Sequence, residues 1–342
     1  MHNFPWEYSF LIVILLLTMN YGFGMELDMD GEPIKNKIIR PLPHTYITDL
    51  PNEFSWGNVN GKSYLTRVLN QHIPQYCGSC WAHASMSALA DRIKISNPLA
   101  ITEIELSIQF ILNCGGGDDG PHRAGSCLGG SAIRAYQFIE EFGYIPYATC
   151  QPYLACSSDS TQGFCPSLNL SCTPENICRT CSSNGTCTSV TSFPYATIAE
   201  YGTYQNDNPT RNNIRAIQAE IYVRGPVKAS VNAGPLQNYI GGILYDSPEL
   251  RNHTHNHGVS LVGWGWDGHV QYWIVRNSWG EYWGEMGFFR IELGKNLLGI
   301  EGNIAWALPG TFSVVDATGR IHQKEYEYSH HHMYLNRDPL PS

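Results

Sequence analysis

Apolar and polar residues follow different patterns in the two halves of the chain. The run that starts at Cys80 is rich in Ala, includes Leu89 and contains no Gly or Pro before Asn97-Pro98. Within it, Trp81, Leu89 and Ile93 recur near helical spacing. The pattern predicts a buried helix that begins at Cys80 and ends at Asn97.

Short β-branched and aromatic runs, separated by Gly and Asp turns, occupy the second half. They cover residues 258–265, 271–276 and 287–291 and predict three strands. Because helix comes first and strands follow, the elements are segregated as in an α+β fold. We therefore predict a helical lobe followed by a sheet lobe, within a domain at residues 50–310.

Both ends of the chain have patterns that differ from this core. The apolar run at residues 10–19 is shorter than the ~20 residues of a membrane-spanning helix and precedes small residues near Gly24. It predicts a secretory signal peptide at residues 1–24, with a short membrane anchor as the alternative because no Lys or Arg precedes the run. Polar residues 25–49 predict a short pro-segment.

Residues 311–342 predict a C-terminal extension. It contains three consecutive histidines, His330, His331 and His332, and a Pro-rich end. We interpret the histidines as part of a solvated tail rather than as a metal site.

Composition and charge exclude some classes of function. The chain has 342 residues, of which 43% are hydrophobic, and its formal net charge is -9. No run of Lys or Arg provides a basic surface for nucleic acid. We expect a monomer with no cofactor, no metal and no nucleic-acid partner, and with no membrane attachment once the signal peptide is removed.

The cysteine content agrees with export. Eleven cysteines are an odd number, so one thiol stays unpaired if the others form bridges. A zinc knuckle at Cys178-x-x-Cys181 with Cys172 and Cys187 is the alternative, but zinc needs reduced thiolates, which an oxidising compartment disfavours. Three N-glycosylation motifs, at Asn169, Asn184 and Asn252, are also compatible with export, and we expect the protein in the lysosome or outside the cell.

The chemistry concentrates at residues 71–83. A thiol attacks carbonyl groups as thiolate, and a cysteine at a helix N-terminus has its pKa lowered by unpaired backbone N–H groups and the helix dipole. Cys80 occupies that position, and Gly78 permits the turn before it. The Cys80 backbone N–H and a side-chain amide such as that of Gln71 could donate to a tetrahedral oxyanion.

A thiolate also needs an imidazolium partner, and the imidazole needs an acceptor that fixes its tautomer. His257 lies at the start of one predicted strand, and Asn277 follows the end of the next. Adjacent strands would bring the two side chains together. The sequence therefore predicts Cys80 as nucleophile, His257 as its base and Asn277 as the residue that orients the base.

Two other functions remain to be weighed. Cys77-x-x-Cys80 fits a thioredoxin-like dithiol, but that motif should follow a strand in a βαβ unit, whereas a polar segment precedes it here. The second alternative is a catalytically inactive relative that only binds peptides. Turnover of any peptide substrate would exclude it.

Cys77-Gly-Ser-Cys-Trp81 resembles the signature of the papain and cathepsin cysteine peptidases. Within that family, residues 70–85 and 272–280 resemble the cathepsin X group, also called cathepsin Z, and the similarity covers residues 41–306. The resemblance implies a papain-like two-lobed fold, with the nucleophile helix in a helical left lobe and a β-barrel-like right lobe. The distances along the chain from Cys80 to His257 and Asn277 exceed the usual family spacing, which implies insertions.

The same resemblance implies roles for further residues. Trp279 and Trp283 match tryptophans that shield the Asn–His hydrogen bond, and Trp279 also borders bound substrate. Gly129 and Gly130 match the strip that binds the substrate backbone.

The resemblance also implies four disulfides of the family and one additional pair. Residues 25–49 contain no cysteine, so the covalent cap that the family's pro-segment places on the nucleophile is not expected, and no cysteine follows Cys187. The implied pairs are Cys77 with Cys127, Cys114 with Cys172, Cys150 with Cys178, Cys181 with Cys187 and, as the extra pair, Cys156 with Cys165.

The segment between Gln71 and Cys77 bears on specificity. His72-Ile-Pro-Gln-Tyr76 is longer than the link in endopeptidase relatives and resembles the loop of the cathepsin X group. The resemblance implies a carboxypeptidase that removes single residues from peptides with a free C-terminus, in which protonated His72, with Tyr76 nearby, binds the terminal carboxylate. A cysteine endopeptidase or a dipeptidyl carboxypeptidase is the alternative.

Overall fold

The structure, a computed structural model, describes residues 36–97, 103–116, 124–316 and 318–327, together with the backbone of Leu27–Asp28. The predicted signal peptide and the histidine-containing end of the predicted extension lie outside the described residues.

The helices lie in the first two thirds of the chain. They are α1 (Cys80–Ser96), α2 (Ile108–Cys114), α3 (Ala132–Phe142), α4 (Pro174–Ile177) and α5 (Arg211–Arg224). The helix predicted from Cys80 is confirmed as α1, in which every side chain except Lys94 is buried. A helix that is buried on all sides is expected in the middle of a protein rather than on its surface.

The strands form one large sheet and two small ones. They are β1 (Leu27–Asp28), β2 (Phe54–Ser55), β3 (Gly125–Ser126), β4 (Gly129–Gly130), β5 (Ile145–Pro146), β6 (Arg179–Cys181), β7 (Cys187–Ser189), β8 (Tyr195–Gln205), β9 (Val227–Val231), β10 (Ile243–Leu244), β11 (His257–Trp266), β12 (Gln271–Arg276), β13 (Phe288–Glu292), β14 (Asn303–Val315) and β15 (Ile321–Glu325). The large sheet has the order β10-β13-β12-β11-β9-β14-β8-β5, with β15 on β14 and β2 on β11. The three predicted strands correspond to β11, β12 and β13.

Two separate hydrophobic cores give the two lobes. The first core joins α1, α2 and α3 and includes Trp81 and Phe110. The second lies within the sheet and includes Trp264 and Trp273. Because α1 contributes Trp81 to the first core and Ile95 to the second, it lies between the lobes. The predicted α+β two-lobed fold is confirmed.

Five disulfides stabilise the first lobe and the segment after it. They join Cys77 to Cys127, Cys114 to Cys172, Cys150 to Cys178, Cys156 to Cys165 and Cys181 to Cys187, which are the pairs implied by the resemblance. Cys80 takes part in none of these disulfides and is buried. The zinc-knuckle alternative is overturned, because all four cysteines that it needs lie in disulfides.

The structure also describes parts of the segments that flank the predicted domain. Strand β14 runs through the boundary predicted at residue 310, and both Phe312 and Tyr326 are buried. Residues 311–316 and 318–327 are therefore part of the folded body. On the N-terminal side, the backbone N–H groups of Ile39 and Arg40 donate to the buried Glu200 carboxylate, which holds the second half of the predicted pro-segment against the sheet.

Among the described residues, no helix is long and apolar enough to cross a membrane. The same residues contain no group of His, Cys, Asp and Glu side chains that could hold a metal ion.

Candidate active site

Cys80 is the first residue of α1, and the turn that precedes it is fixed from two sides. Gly78 donates its backbone N–H to the Cys127 carbonyl at 2.7 Å, beside the Cys77–Cys127 disulfide. Ser79 occupies the N-cap position without a side-chain capping bond. The first turn of α1 therefore presents backbone N–H groups and the positive end of the helix dipole next to the Cys80 thiol.

His257 and Asn277 meet where β11 begins and β12 ends. The two strands pair antiparallel, with Ser260 opposite Arg276, so the start of β11 lies beside the residue that follows β12. His257 Nε2 lies 2.7 Å from Asn277 Oδ1, and both side chains are buried. Since an amide oxygen only accepts hydrogen bonds, Nε2 carries the proton and Nδ1 is the basic nitrogen.

The start of β11 packs directly against the first turn of α1. A Cβ placed on Gly258 would lie 3.2 Å from the carbonyl carbon and oxygen of Cys80 and 3.3 Å from Cα of Trp81. Contacts this short leave little space for any side chain, so glycine allows the close approach. The structure thereby brings the Cys80 backbone and the His257–Asn277 pair together from three separate parts of the sequence.

A buried ion pair ties β12 to α1. The Arg276 guanidinium contacts the Asp91 carboxylate at 2.5 Å, and Asp91 also accepts from the Thr66 backbone N–H at 2.7 Å. Because Arg276 immediately precedes Asn277, this pair fixes the residue that orients His257. Sequence reasoning missed Asp91, although a carboxylate within an apolar helix is a signal of a buried partner.

Two tryptophans cover the His257–Asn277 hydrogen bond. The Trp279 ring lies 4.9 Å from the His257 ring, centroid to centroid, and Trp283 meets Trp279 edge to face at 5.2 Å. Excluding water from a hydrogen bond lowers the local dielectric and strengthens the bond. These are the two tryptophans for which the resemblance implies a shielding role.

Gln71 is buried and links the nucleophile turn to the Asn277 segment. Its Nε2 donates to the Cys77 carbonyl at 3.1 Å, and its Oε1 accepts from the Ser278 hydroxyl at 2.7 Å. Its backbone N–H donates to the Ser278 carbonyl at 2.8 Å. Ser278, which sequence reasoning did not identify, therefore sets both the backbone and the side-chain amide of Gln71.

His72 and Tyr76 lie in the loop that follows Gln71. Their rings stack with a centroid distance of 4.8 Å and an interplanar angle of 8°. The backbone N–H of His72 donates to Asn70 Oδ1 at 2.9 Å. The side-chain nitrogen of Asn70, Nδ2, in turn contacts Tyr282 Oη at 2.9 Å and the Trp279 carbonyl at 3.4 Å. The loop that carries His72 is thus joined to the tryptophan that covers His257.

Gly129 and Gly130 form β4. A Cβ on Gly130 would lie 2.4 Å from Cε2 of Trp81, so only glycine fits there. Strand β4 pairs antiparallel with β3 on one side and parallel with Leu27–Asp28 on the other. Part of the predicted pro-segment therefore lies along the glycine strip for which the resemblance implies substrate binding.

The three predicted glycosylation asparagines, Asn169, Asn184 and Asn252, are all exposed.

A family model described as papain family cysteine protease matches residues 50–308. The chain belongs to the papain family. Cathepsin Z of Onchocerca volvulus is 38% identical over 271 residues, covering 76% of this chain and 78% of that protein. A cathepsin B-like cysteine proteinase of Caenorhabditis elegans is 29% identical over 302 residues, covering 84% of this chain and 73% of that protein. The predicted resemblance is confirmed.

Solved structures of the papain family agree with the fold. Procathepsin L2 from the larval midgut of Tenebrio molitor superposes with a TM-score of 0.58 at 24% identity, over 76% of this chain and 69% of that one. A structure from work on the mite allergens Blo t 1 and Der p 1 superposes with a TM-score of 0.61 at 25% identity, over 84% and 81%. This papain-family chain is a cysteine protease that acts on peptides or proteins. The thioredoxin-like alternative is wrong, because Cys77 forms its disulfide with Cys127 and not with Cys80.

Proposed function

We propose that the protein is a cysteine-type carboxypeptidase that removes single residues from the free C-terminus of peptides and proteins. Cys80 is the nucleophile, and its thiol transfers a proton to His257 to give a thiolate–imidazolium pair. Asn277 holds the imidazole through Nε2, so that Nδ1 faces the thiol. The tryptophan cover over this hydrogen bond supports the assignment.

The reaction follows from these positions. The Cys80 sulfur attacks the scissile carbonyl carbon, and the oxygen becomes an oxyanion that accepts from the Cys80 backbone N–H and the Gln71 amide. The C–N bond breaks as His257 gives its proton to the leaving amine. Water, deprotonated by His257, then attacks the thioester and releases the shortened peptide together with the free Cys80 thiol.

One observation carries the exopeptidase assignment, and it concerns the loop that contains His72. This loop is joined through Asn70 to the backbone of Trp279, whose ring lies against His257. A protonated imidazole in that position pairs with the α-carboxylate of the leaving residue, as a charge-assisted hydrogen bond. The stacked Tyr76 hydroxyl is a second donor for the same carboxylate. The similarity to cathepsin Z also supports this specificity.

Residues 25–49 act as the pro-segment in this proposal. The parallel pairing of Leu27–Asp28 with Gly129–Gly130 supports it, because a strand in that place prevents a substrate from pairing with the same glycines. Because residues 25–49 contain no cysteine, the pro-segment blocks the site without a disulfide to Cys80. The disulfides and exposed acceptor asparagines support an exported protein, in the lysosome or outside the cell.

Mass spectrometry of a defined peptide tests the proposal. Incubation with the mature protein should shorten the peptide from its C-terminus by one residue at a time. Release of residues in pairs supports a dipeptidyl carboxypeptidase instead, and internal cleavage supports an endopeptidase; either result contradicts the proposal.

A further inference from the structure

The loop that carries His72 rests against a second loop, closed by the extra disulfide. Gln75, in the middle of the His72 loop (residues 72–76), directs its amide nitrogen at the Ala155 carbonyl at 3.3 Å and at Cys156 Sγ at 3.4 Å. The same nitrogen contacts Cys165 Sγ, the other half of the disulfide. One side chain therefore joins the His72 loop to both sulfur atoms.

This second loop, which we call the brace (residues 153–165), also holds the two ends of the His72 loop. Tyr153 Oη donates to the Gln71 carbonyl at 2.8 Å, directly before His72. Ser157 Oγ accepts from the Cys127 N–H at 2.9 Å, and Cys127 is bonded to Cys77 at the other end. The brace thus contacts the start, the middle and, through Cys127, the end of the loop.

The brace is itself firmly attached to the first lobe. Gln109 of α2 is fully buried, and its amide donates to the Cys156 carbonyl at 2.8 Å and accepts from the Leu154 N–H at 2.9 Å. Ala155 and Cys156 are fully buried. The His72 loop, in which Ile73, Pro74 and Tyr76 are exposed, therefore rests on a support that is anchored in the first lobe.

Gly163 shows how closely the two loops fit. A Cβ on Gly163 would lie 2.1 Å from Oε1 of Gln75, and the residue has a φ of +56°. Any side chain at position 163 would displace the Gln75 amide. The brace therefore has space for Gln75 only because residue 163 is glycine.

We propose that Gln75 and the brace are specificity-determining positioning elements: they hold His72 at the distance from Cys80 that selects single-residue removal. This inference rests on the proposed carboxypeptidase function. Tyr153 of the brace also contacts Gln71 and, at 2.6 Å, the Ser79 hydroxyl, so it is left unchanged in the test. The contacts described between Gln75 and the brace involve none of Cys80, His257, Asn277 or Gln71, so this attachment acts on the reaction through the His72 loop. Loosening it should weaken binding of the substrate carboxylate while leaving acyl transfer intact.

The test compares two pairs of variants. Gln75→Glu keeps the size of the side chain but loses the donor, with Gln162→Glu, an exposed position in the same brace, as control. Gly163→Ala displaces Gln75, with Gly61→Ala as control, because Gly61 has a similar positive φ of +79° and nothing within 4 Å of an added Cβ. Each is assayed on a peptide with a free C-terminal acid and on its C-terminal amide, and hydrogen exchange of residues 72–76 is measured.

Gln75→Glu and Gly163→Ala should lower the acid-to-amide ratio of kcat/KM on the order of ten- to a hundredfold, since small misplacements of a binding group cost that much. The loss should appear in KM for the acid, with turnover of the amide retained, and the 72–76 amides should exchange faster. Both controls should match the wild type.

An unchanged ratio with unchanged exchange overturns the inference, as does an equal loss on acid and amide, which indicates general damage. If the wild type shows no preference for the acid, the carboxypeptidase proposal fails instead. In that case, faster exchange at residues 72–76 in the two variants than in the wild type shows that the brace does hold the loop in the wild type. Exchange that is unchanged in the variants shows that it does not.

Discussion

His257 Nε2 lies 2.7 Å from Asn277 Oδ1 because the start of β11 adjoins the end of the antiparallel β12. The hydrogen bond is buried beneath Trp279, and the Asp91–Arg276 pair fixes the residue before Asn277. The orientation of the base is therefore a product of sheet register and of one ion pair to α1.

Asn277→Ala should be milder than His257→Ala. His257 carries the proton in both halves of the reaction, so its loss should lower kcat on the order of a thousandfold or more. Asn277 contributes one buried hydrogen bond, so its loss should cost on the order of ten- to a hundredfold. Steady-state kinetics on one peptide, with folding checked by circular dichroism, measures both. Equal losses, or a larger loss for Asn277→Ala, contradict the assigned roles.

Cys80→Ala should abolish both peptidase activity and labelling by a thiol-directed epoxide. Every other cysteine of the chain lies in a disulfide, so no second thiol is available. Peptide mapping of the labelled wild type should find the adduct at Cys80 alone. An adduct on another cysteine together with retained activity would show that the nucleophile is misassigned.

Asp91→Ala should destabilise the protein by about 3–5 kcal/mol, because it leaves the buried Arg276 charge without its partner. The exposed Lys94–Glu103 pair provides the control: Glu103→Ala should cost about 1 kcal/mol or less. Denaturant unfolding measures both.

The double variant Asp91→Ala/Arg276→Met should recover part of the stability that Asp91→Ala loses, since it also removes the stranded charge. If Asp91→Ala costs no more than Glu103→Ala, the ion pair does not fix the strand that precedes Asn277.

The sequence alone predicts much of the fold and part of the site. Helix α1 and the three strands are marked by apolar periodicity, and the positions of His257 and Asn277 follow from their places at neighbouring strand ends. Contacts between distant residues leave no such periodicity, so the link from Gln71 to Ser278 and the contacts of Gln75 with the brace could not be predicted. Strand β15 was missed for another reason: its side chains are mostly exposed, and backbone pairing with β14 holds it.

The stability should fall between pH 7 and pH 5 partly because of His255. Burial lowers the pKa of His255, against the opposing effect of its hydrogen bond to the Gly299 carbonyl. The stability contributed by the neutral ring is present above the unfolded pKa of ~6.5 and is lost as the pH falls through the lower folded value. The lowered pKa of His255 therefore predicts a loss of stability against unfolding on acidification.

The His255→Gln variant keeps a donor for Gly299 and should lose less stability between pH 7 and pH 5 than the wild type. Thermal denaturation at both pH values measures the difference. The exposed His269 serves as control, and His269→Gln should follow the wild type. A drop for His255→Gln as large as that of the wild type would refute the assignment to His255.

The most direct test of the proposed function is the ratio of kcat/KM for a peptide with a free C-terminal acid to that for its amide. The wild type should strongly prefer the acid, and His72→Ala should lose that preference while still turning over the amide. His269→Ala is the control: it lies after the ten-residue strand β11 that starts at His257, about 30 Å away along the strand, and should keep the preference. A wild type that cleaves acid and amide equally, or a His72→Ala variant that retains the full preference, contradicts the carboxypeptidase assignment.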